Sequence, residues 1–164
     1  MTMPAVLVGA AVAVWLVAGV RLAVTDLRTG LLPTRVIWPT AAVVWGLYTA
    51  ASLMEAEPAG LVGAAVGGAG CGALMAAIHL VHPPAMGFGD VRLSVLNGLL
   101  CGWWGWQTAL VGLTAGFLLA LPEALIVLAR HGRSASRPLG PYLLAGAAIA
   151  AGWATAAQGL VPAR

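Results

Sequence analysis

The sequence predicts an all-α, polytopic integral membrane protein with six transmembrane helices. Of its 164 residues, 61% are hydrophobic and 8% are charged, and the mean hydropathy is +0.96. A soluble domain carries about 25% charged residues. The apolar character runs along the whole chain, whereas a secretory signal peptide is one short apolar segment followed by soluble sequence. These observations favour a single membrane-embedded domain covering residues 1–164.

The first three predicted spans cover about residues 4–24, 36–54 and 59–81. Each approaches the ~20 apolar residues that an α-helix needs to cross a hydrocarbon core of ~30 Å. Gly30 and Pro33 end the first helix and predict a short turn before the second.

Glycines crowd the third span, which contains Gly63-x-x-x-Gly67 and Gly68-x-x-x-Gly72. Small residues let helix backbones approach closely in lipid. We therefore expect this span to pack tightly against other helices of the same chain, with dimerisation as the less favoured alternative.

The last three predicted spans cover about residues 91–101, 107–129 and 139–160. The first of these is short and is expected to be tilted or recessed. The cluster Trp103-Trp104-Gly105-Trp106 that follows it is typical of an aromatic belt at a membrane face. Pro122 can kink the fifth span, and Glu123 is expected to be an interfacial acid that pairs or snorkels near the end marked by Arg130.

Arginines predict the orientation of the chain. Six spans place Glu55, Glu57 and Arg164 on one side of the membrane. The arginines on the other side are Arg21, Arg28, Arg35, Arg92, Arg130, Arg133 and Arg137. Because positively charged loops stay in the cytoplasm, the second side is predicted to be cytoplasmic. The chain is then a multi-pass protein of the cytoplasmic membrane with both termini outside the cytoplasm.

The segment Gly87-Phe88-Gly89-Asp90 lies between two apolar runs. An ionised carboxylate beside hydrocarbon loses its hydration, so an ionisable group at such a place is by default a functional candidate. Gly87 and Gly89 carry no Cβ and can adopt φ > 0, so another chain could approach this backbone closely. Asp90 is predicted to be the N-cap of the fourth span, where the helix dipole favours negative charge. The alternative is an ordinary capped turn.

Asp26 and Asp90 are the only aspartates, and the predicted topology places both at helix ends on the cytoplasmic side. Two carboxyls that lie close together cannot both ionise cheaply, so one keeps a proton. The ionised carboxylate can then take a proton from water, while the protonated carboxyl polarises a carbonyl or protonates a leaving amine. Such a pair can hydrolyse a peptide bond. The alternative is that the two residues are unrelated helix caps that never meet.

Metal and nucleic-acid sites are poorly supported. Cys71 and Cys101 lie inside apolar runs without a Cys-x-x-Cys pair, so we expect buried free thiols. His79 and His82 share a helix face, but two imidazoles fall short of the three or four ligands of a zinc site. The arginines are scattered and form no basic-aromatic face, which argues against nucleic-acid binding.

Three segments resemble the type IV prepilin peptidases, the G-x-G-D membrane aspartyl proteases. They are Asp26 through Leu32-Pro33-Thr34, then Gly87-Phe88-Gly89-Asp90-Val91-Arg92-Leu93, then Pro138-Leu139-Gly140-Pro141-Tyr142-Leu143. The resemblance covers nearly the whole chain, in the family's order and spacing. Three residues depart from the common pattern without touching the aspartates: Thr34 replaces Asn or Asp, Arg92 replaces Lys and Leu139 replaces Phe.

The resemblance implies a membrane aspartic endopeptidase that cleaves the leader peptide of type IV pilin-like precursors on the cytoplasmic side. It implies that Asp26 and Asp90 are the catalytic pair and that the substrate meets Gly87, Phe88, Gly89 and Arg92. No cofactor is expected. Longer relatives carry a cytosolic insert with paired cysteines, linked to N-methylation of the trimmed pilin. The first cytoplasmic loop here is short, so a minimal form without the methyltransferase part is expected.

Two other function classes remain open at this stage. One is a non-catalytic membrane subunit of a pilus or secretion assembly. The other is a small proton-coupled transporter, which would be expected to carry acids at mid-membrane or to show internal repeats. The oligomeric state and the identity of the precursor are not indicated by the sequence.

Overall fold

A computed structural model describes residues 2–81, 86–131 and 138–160, and all regular secondary structure in these ranges is helical. The predicted all-α class is thereby confirmed. His82, residues 132–137 of the basic segment and Arg164 lie outside the described residues. The six helices are α1 (Met3–Thr29), α2 (Thr34–Glu55), α3 (Ala59–Val81), α4 (Phe88–Gly102), α5 (Trp106–His131) and α6 (Gly140–Gln158).

Four of these helices are long and apolar enough to cross a membrane by length and composition. They are α1, α2, α3 and the part of α5 from Trp106 to Val127. Helix α4 has 15 residues and α6 has 19, and neither is among the four. The expectation of six helices is met, while the expectation of six spans is supported for four of them.

Helix α4 occupies the centre of the molecule, because it packs against each of the other five helices described. Most of its residues are buried, including the polar residues Ser94 and Asn97. A helix surrounded by protein does not need to match the thickness of lipid on its own. This position accounts for the short fourth span that the sequence indicates.

Glycines bring α3 and α4 into direct backbone contact. A Cβ built at Gly67 would lie 2.5 Å from the carbonyl oxygen of Gly98, which no real Cβ contact allows. Gly63 faces Gly102 in the same way one turn away. The expected tight packing of the third span inside the protein is confirmed, and its partner is α4. Helices α5 and α6 approach each other similarly at Gly116 and Gly146.

The aromatic-belt interpretation is wrong for two of the three tryptophans at the end of α4. Trp103 and Trp104 are 2% and 5% exposed, and only Trp106 is largely exposed. The indole N–H of Trp103 donates to the carbonyl of Leu160 at 3.1 Å, and that of Trp104 donates to Gly159 at 2.8 Å. The two indoles therefore bind backbone carbonyls just after the end of α6.

Glu123, in α5, accepts a hydrogen bond from the hydroxyl of Tyr142 in α6. This contact joins the two helices and gives the acid a hydrogen-bond partner in α6. Cys71 and Cys101 are buried free thiols, as expected.

Candidate active site

Asp26 lies in the last turn of α1, at the end of the helix as the sequence predicted, and just after the predicted apolar span. The helix runs to Thr29, five residues beyond the predicted span, because its last turn continues past the apolar segment. It ends at Gly30, whose φ of 63° is the left-handed conformation typical of a helix C-cap. The side chain of Asp26 points inward and is 4% exposed.

The start of α6 supports the Asp26 carboxylate. The backbone N–H of Gly140, the first residue of α6, donates to Asp26 Oδ2 at 3.0 Å. Helix N-termini carry free N–H groups and partial positive charge, so they stabilise an adjacent anion. A Cβ at Gly140 would lie 2.6 Å from the same oxygen. Only glycine therefore fits beside this carboxylate.

Asp90 lies in the first turn of α4, but the expectation that it is the N-cap is wrong. Gly87 is the N-cap, and Asp90 is the third helical residue. An acid at this position can reach back to the N-cap backbone, as in a capping box. The side chain is 8% exposed. Helix α4 begins three residues before the predicted start of the span at residue 91, because Phe88, Gly89 and Asp90 are helical.

The structure brings Asp26 and Asp90 together. The pKa of the Asp90 carboxyl is raised from its ordinary 3.8 to about 6, chiefly because burial removes its hydration and also because Asp26 lies nearby. A hydrogen bond with the Gly87 backbone acts in the opposite direction. With a pKa of about 6, the Asp90 carboxyl keeps its proton in mildly acidic solution, where an ordinary aspartate is ionised. Two carboxyls that differ in protonation can act as a general base and a general acid.

Leu32 packs between the two halves of the site. A Cβ at Gly89 would lie 2.9 Å from Leu32 Cβ, and a Cβ at Gly140 would lie 3.3 Å from Leu32 Cδ2. The possibility of a positive φ at Gly87 or Gly89 is not realised. The described glycines with positive φ are Gly30, Gly105 and Gly159. Glycine is needed at position 89 for close packing, not for an unusual backbone conformation.

Phe88 and Arg92 form one rim of the site. The ring of Phe88 is 49% exposed, and the Arg92 guanidinium lies 4.7 Å from its centroid. The same guanidinium donates to Thr34 Oγ1 at 2.5 Å, which ties α4 to the start of α2. His79 stacks at an angle on Phe88 and hydrogen-bonds to the carbonyl of Met86. Thr34 and Arg92 are two positions at which the chain departs from the common family pattern, and their side chains are in direct contact.

Polar residues continue along α4 beneath Asp90. Asn97 accepts a hydrogen bond from the indole of Trp15 in α1 at 3.0 Å and donates to the carbonyl of Leu143 in α6 at 3.1 Å. Asn97 therefore links the helices that carry Asp26, Asp90 and Gly140. Ser94 is 1% exposed, and its hydroxyl lines a small cavity shared with Cys71 and Cys101.

A metal site is not evident in the part of the chain that the structure describes, where no three side chains of His, Cys, Asp and Glu are grouped for coordination. The ring Nδ1 of His79 is engaged with a backbone carbonyl. His82, the other imidazole considered from the sequence, lies outside the described residues.

Three residues with clear positions in the site were missed from the sequence as site residues: Leu32, Asn97 and Gly140. Gly140 belongs to a segment already singled out by its resemblance, and its place at a helix start beside Pro141 was the available signal. Leu32 also belongs to a segment that carries the resemblance, whereas Asn97 looked like an ordinary span residue. Their roles depend on contacts between helices far apart in the chain.

A protein-family model described as the type IV leader peptidase family matches residues 10–132. The matched range contains both aspartates and the segment from Gly87 to Arg92. Searches of curated proteins and of solved structures found no match to the chain.

Proposed function

Since the chain belongs to the type IV leader peptidase family, we propose that it is an aspartic endopeptidase in which Asp26 and Asp90 are the catalytic residues. Its substrates are the precursors of type IV pilin-like proteins, and the bond cut joins the leader peptide to the hydrophobic segment. The observation that carries the proposal is the pair of buried carboxyls within electrostatic range of each other.

The surroundings of the two carboxyls support different roles for them. Asp26 accepts the N–H of Gly140 at the positive end of α6, which offsets part of the effect of burial on this carboxyl. Asp90 has a pKa raised to about 6 by burial and by Asp26, which favours its protonated form. Asp26 therefore acts as the base and Asp90 as the acid at the start of the reaction.

The reaction follows from these protonation states. Asp26 takes a proton from a water molecule, whose oxygen bonds to the scissile carbonyl carbon, while Asp90 gives its proton to the carbonyl oxygen. The resulting tetrahedral diol collapses when one carboxyl protonates the leaving nitrogen and the C–N bond breaks. The diol returns a proton to the other carboxylate. One water is consumed, and a carboxylic acid and an amine are formed.

The rim of the site suits a substrate with an apolar segment. Three apolar residues close in sequence to one or other aspartate are exposed: Leu27 (65%), Leu31 (69%) and Phe88 (49%). Gly87 is exposed next to Phe88 and leaves the backbone open to an extended chain. Arg92 presents positive charge beside the same rim. We assign Gly87, Phe88, Gly89 and Arg92 to substrate binding on this basis.

All six helices cross the membrane in this proposal, with the active site on the cytoplasmic side. Helix α4 is enclosed by the other five helices described, so its length is not set by lipid. Arg21, Arg28 and Arg35 lie at the same end of the bundle as Asp26, while Glu55 and Glu57 lie at the opposite end of α2. This asymmetry favours a cytoplasmic site by the positive-inside rule. No cofactor takes part.

Asparagine substitutions at the two aspartates test the proposal. Asp26→Asn and Asp90→Asn should each reduce cleavage of a co-reconstituted pilin precursor by about 10³-fold or more, and the double variant should be no worse, because the pair acts as a unit. Cleavage is measured by the mobility of the precursor on gels, and folding by thermal unfolding in detergent. Glu57→Gln, an exposed acid far from the site, is the matched control. Cleavage at the normal rate by either aspartate variant would refute the dyad.

A further inference from the structure

A groove of about 490 Å³ opens between α1 and α2, on a side of the bundle that the catalytic proposal does not use. Most of its wall is apolar, and small side chains at Ala13 and Ala18 leave the space open. Both helices are candidate membrane spans by length and composition, so we expect the groove between them to face lipid.

Two arginines stand at one end of this groove. Arg21 is the lining residue of α1 nearest to the connection between the helices, and Arg35 is the lining residue of α2 nearest to it. Both side chains are exposed. The carboxylates of the chain that are exposed on α2 and just after it, Glu55 and Glu57, lie at the far end of that helix.

The length of the groove matches one lipid leaflet. The lining residues of α1 extend from Ala13 to Arg21, which is about 12 Å at ~1.5 Å per residue. Half of a ~30 Å hydrocarbon core is about 15 Å. The guanidinium groups therefore lie at the depth of the headgroups when the apolar wall lies against the acyl chains.

From this charge complementarity we propose that the groove is a binding site for one anionic phospholipid. The phosphate and the anionic headgroup contact Arg21 and Arg35, which can donate several hydrogen bonds to phosphate oxygens. An acyl chain lies over Ala13, Val17 and Val36. Basic pockets between transmembrane helices bind anionic headgroups for the same physical reason. A free phosphate ion would leave the apolar wall unoccupied.

Native mass spectrometry of the full chain tests the site, with dioleoyl phosphatidylglycerol and dioleoyl phosphatidylcholine as probes. The wild-type protein should retain one phosphatidylglycerol with a Kd at least about tenfold lower than that for phosphatidylcholine. Arg21→Gln combined with Arg35→Gln should remove most of this preference, since each cation near the surface contributes about fivefold. Arg28→Gln, an exposed arginine of α1 outside the groove, should keep it.

A second variant tests the apolar wall of the groove independently of the two arginines. Ala13 is exposed, so Ala13→Phe fills the apolar wall without disturbing the core, and it should weaken retention of phosphatidylglycerol while both arginines remain. Equal retention of phosphatidylglycerol and phosphatidylcholine by the wild-type protein would overturn the proposal. So would a loss of the phosphatidylglycerol preference in Arg28→Gln as large as in the double arginine variant, because it would indicate diffuse surface charge. If Ala13→Phe retained the lipid but lost precursor cleavage, the groove would be a site for the precursor and the lipid proposal would be wrong.

Discussion

Asp26 and Asp90 reach their common site from opposite ends of their helices, one from the last turn of α1 and one from the first turn of α4. Each lies beside a helix N-terminus, Asp26 beside that of α6 and Asp90 within that of α4. These partial positive charges offset part of the cost of burying two acids. The remaining cost appears in the pKa values of both carboxyls, which burial raises above 3.8, that of Asp90 to about 6.

Cleavage should depend on pH through Asp90. Because the pKa of its carboxyl is about 6, the protonated form that acts as the acid is lost as pH rises through 6. We expect kcat/KM to fall by about tenfold per pH unit above this value, as it does when one essential proton is lost. The measurement is cleavage of a precursor in detergent from pH 5 to 9, with the folded fraction followed in parallel. A rate that increases up to pH 9 would contradict the assignment of Asp90 as the acid.

Gly140→Ala should impair catalysis, because the added Cβ would lie 2.6 Å from Asp26 Oδ2 and displace the carboxylate. A displacement of about 1 Å can reduce a rate by about 10²-fold. Precursor cleavage and the unfolding temperature are measured together. Gly152→Ala is the control, since a Cβ there, in the same helix, meets no atom within 4 Å. If both variants cleave equally well, Gly140 does not position Asp26.

At the level of elements, the glycine pattern of α3 is explained by its close packing against α4. Gly63 and Gly67 face α4, and Gly72 faces Val95 of the same helix. The hydrophobic effect contributes little to helix association in lipid, because lipid tails are as apolar as the side chains. Close van der Waals packing therefore stabilises the bundle. The glycines of α3 allow that packing against the helix that carries Asp90.

Gly67→Ala should destabilise the bundle by about 1–3 kcal/mol, as overpacking of a tight interior does. The new Cβ would meet the carbonyl oxygen of Gly98 at 2.5 Å and Ala109 Cβ at 3.0 Å. Thermal or denaturant unfolding in detergent gives the comparison with wild type. Gly70→Ala provides the control on the same helix, because that position faces open space. Equal stability of the two variants would mean that the α3–α4 contact tolerates a wider spacing.

In the whole molecule, α4 is the element on which the others converge. Its contacts reach every other helix described, and Asn97 connects it to α1 and α6 through two hydrogen bonds. The shortest of the described helices can lie at the centre because it is covered by protein, so its length does not have to match the thickness of the lipid. Arg21, Arg28 and Arg35 lie at one end of the bundle, and Glu55 and Glu57 lie at the other. The positive-inside rule predicts from this asymmetry which end faces the cytoplasm.

Paired cysteine substitutions test that orientation. Leu31→Cys lies in the connection between α1 and α2, and Glu57→Cys lies beyond the far end of α2. Both positions are exposed, whereas the native Cys71 and Cys101 are buried. We expect a membrane-impermeant maleimide to label Glu57→Cys in intact cells and Leu31→Cys only after the cells are opened. Labelling of Leu31→Cys from outside would place the aspartates outside the cytoplasm.

Much of the fold could be predicted from the sequence, because lipid imposes strong local rules. A spanning segment must satisfy its own backbone hydrogen bonds, so long apolar runs are helices. Glycines and prolines then separate α1 from α2, and the approximate helix positions follow. The boundaries were less certain, because a helix can extend past its apolar part. Asp26 in α1 and Asp90 in α4 both lie inside helices for that reason.

The sequence by itself determined the all-α class, the approximate helices and the two aspartates as candidates, since each depends on composition or on residues close together in the chain. Only the tertiary structure decided that the aspartates lie within electrostatic range of each other, that Gly140 contacts Asp26, and that Trp103 is buried rather than at a membrane face. These features arise between helices that are distant in sequence. Their physical cause is the packing of one helix on another, which no local pattern specifies.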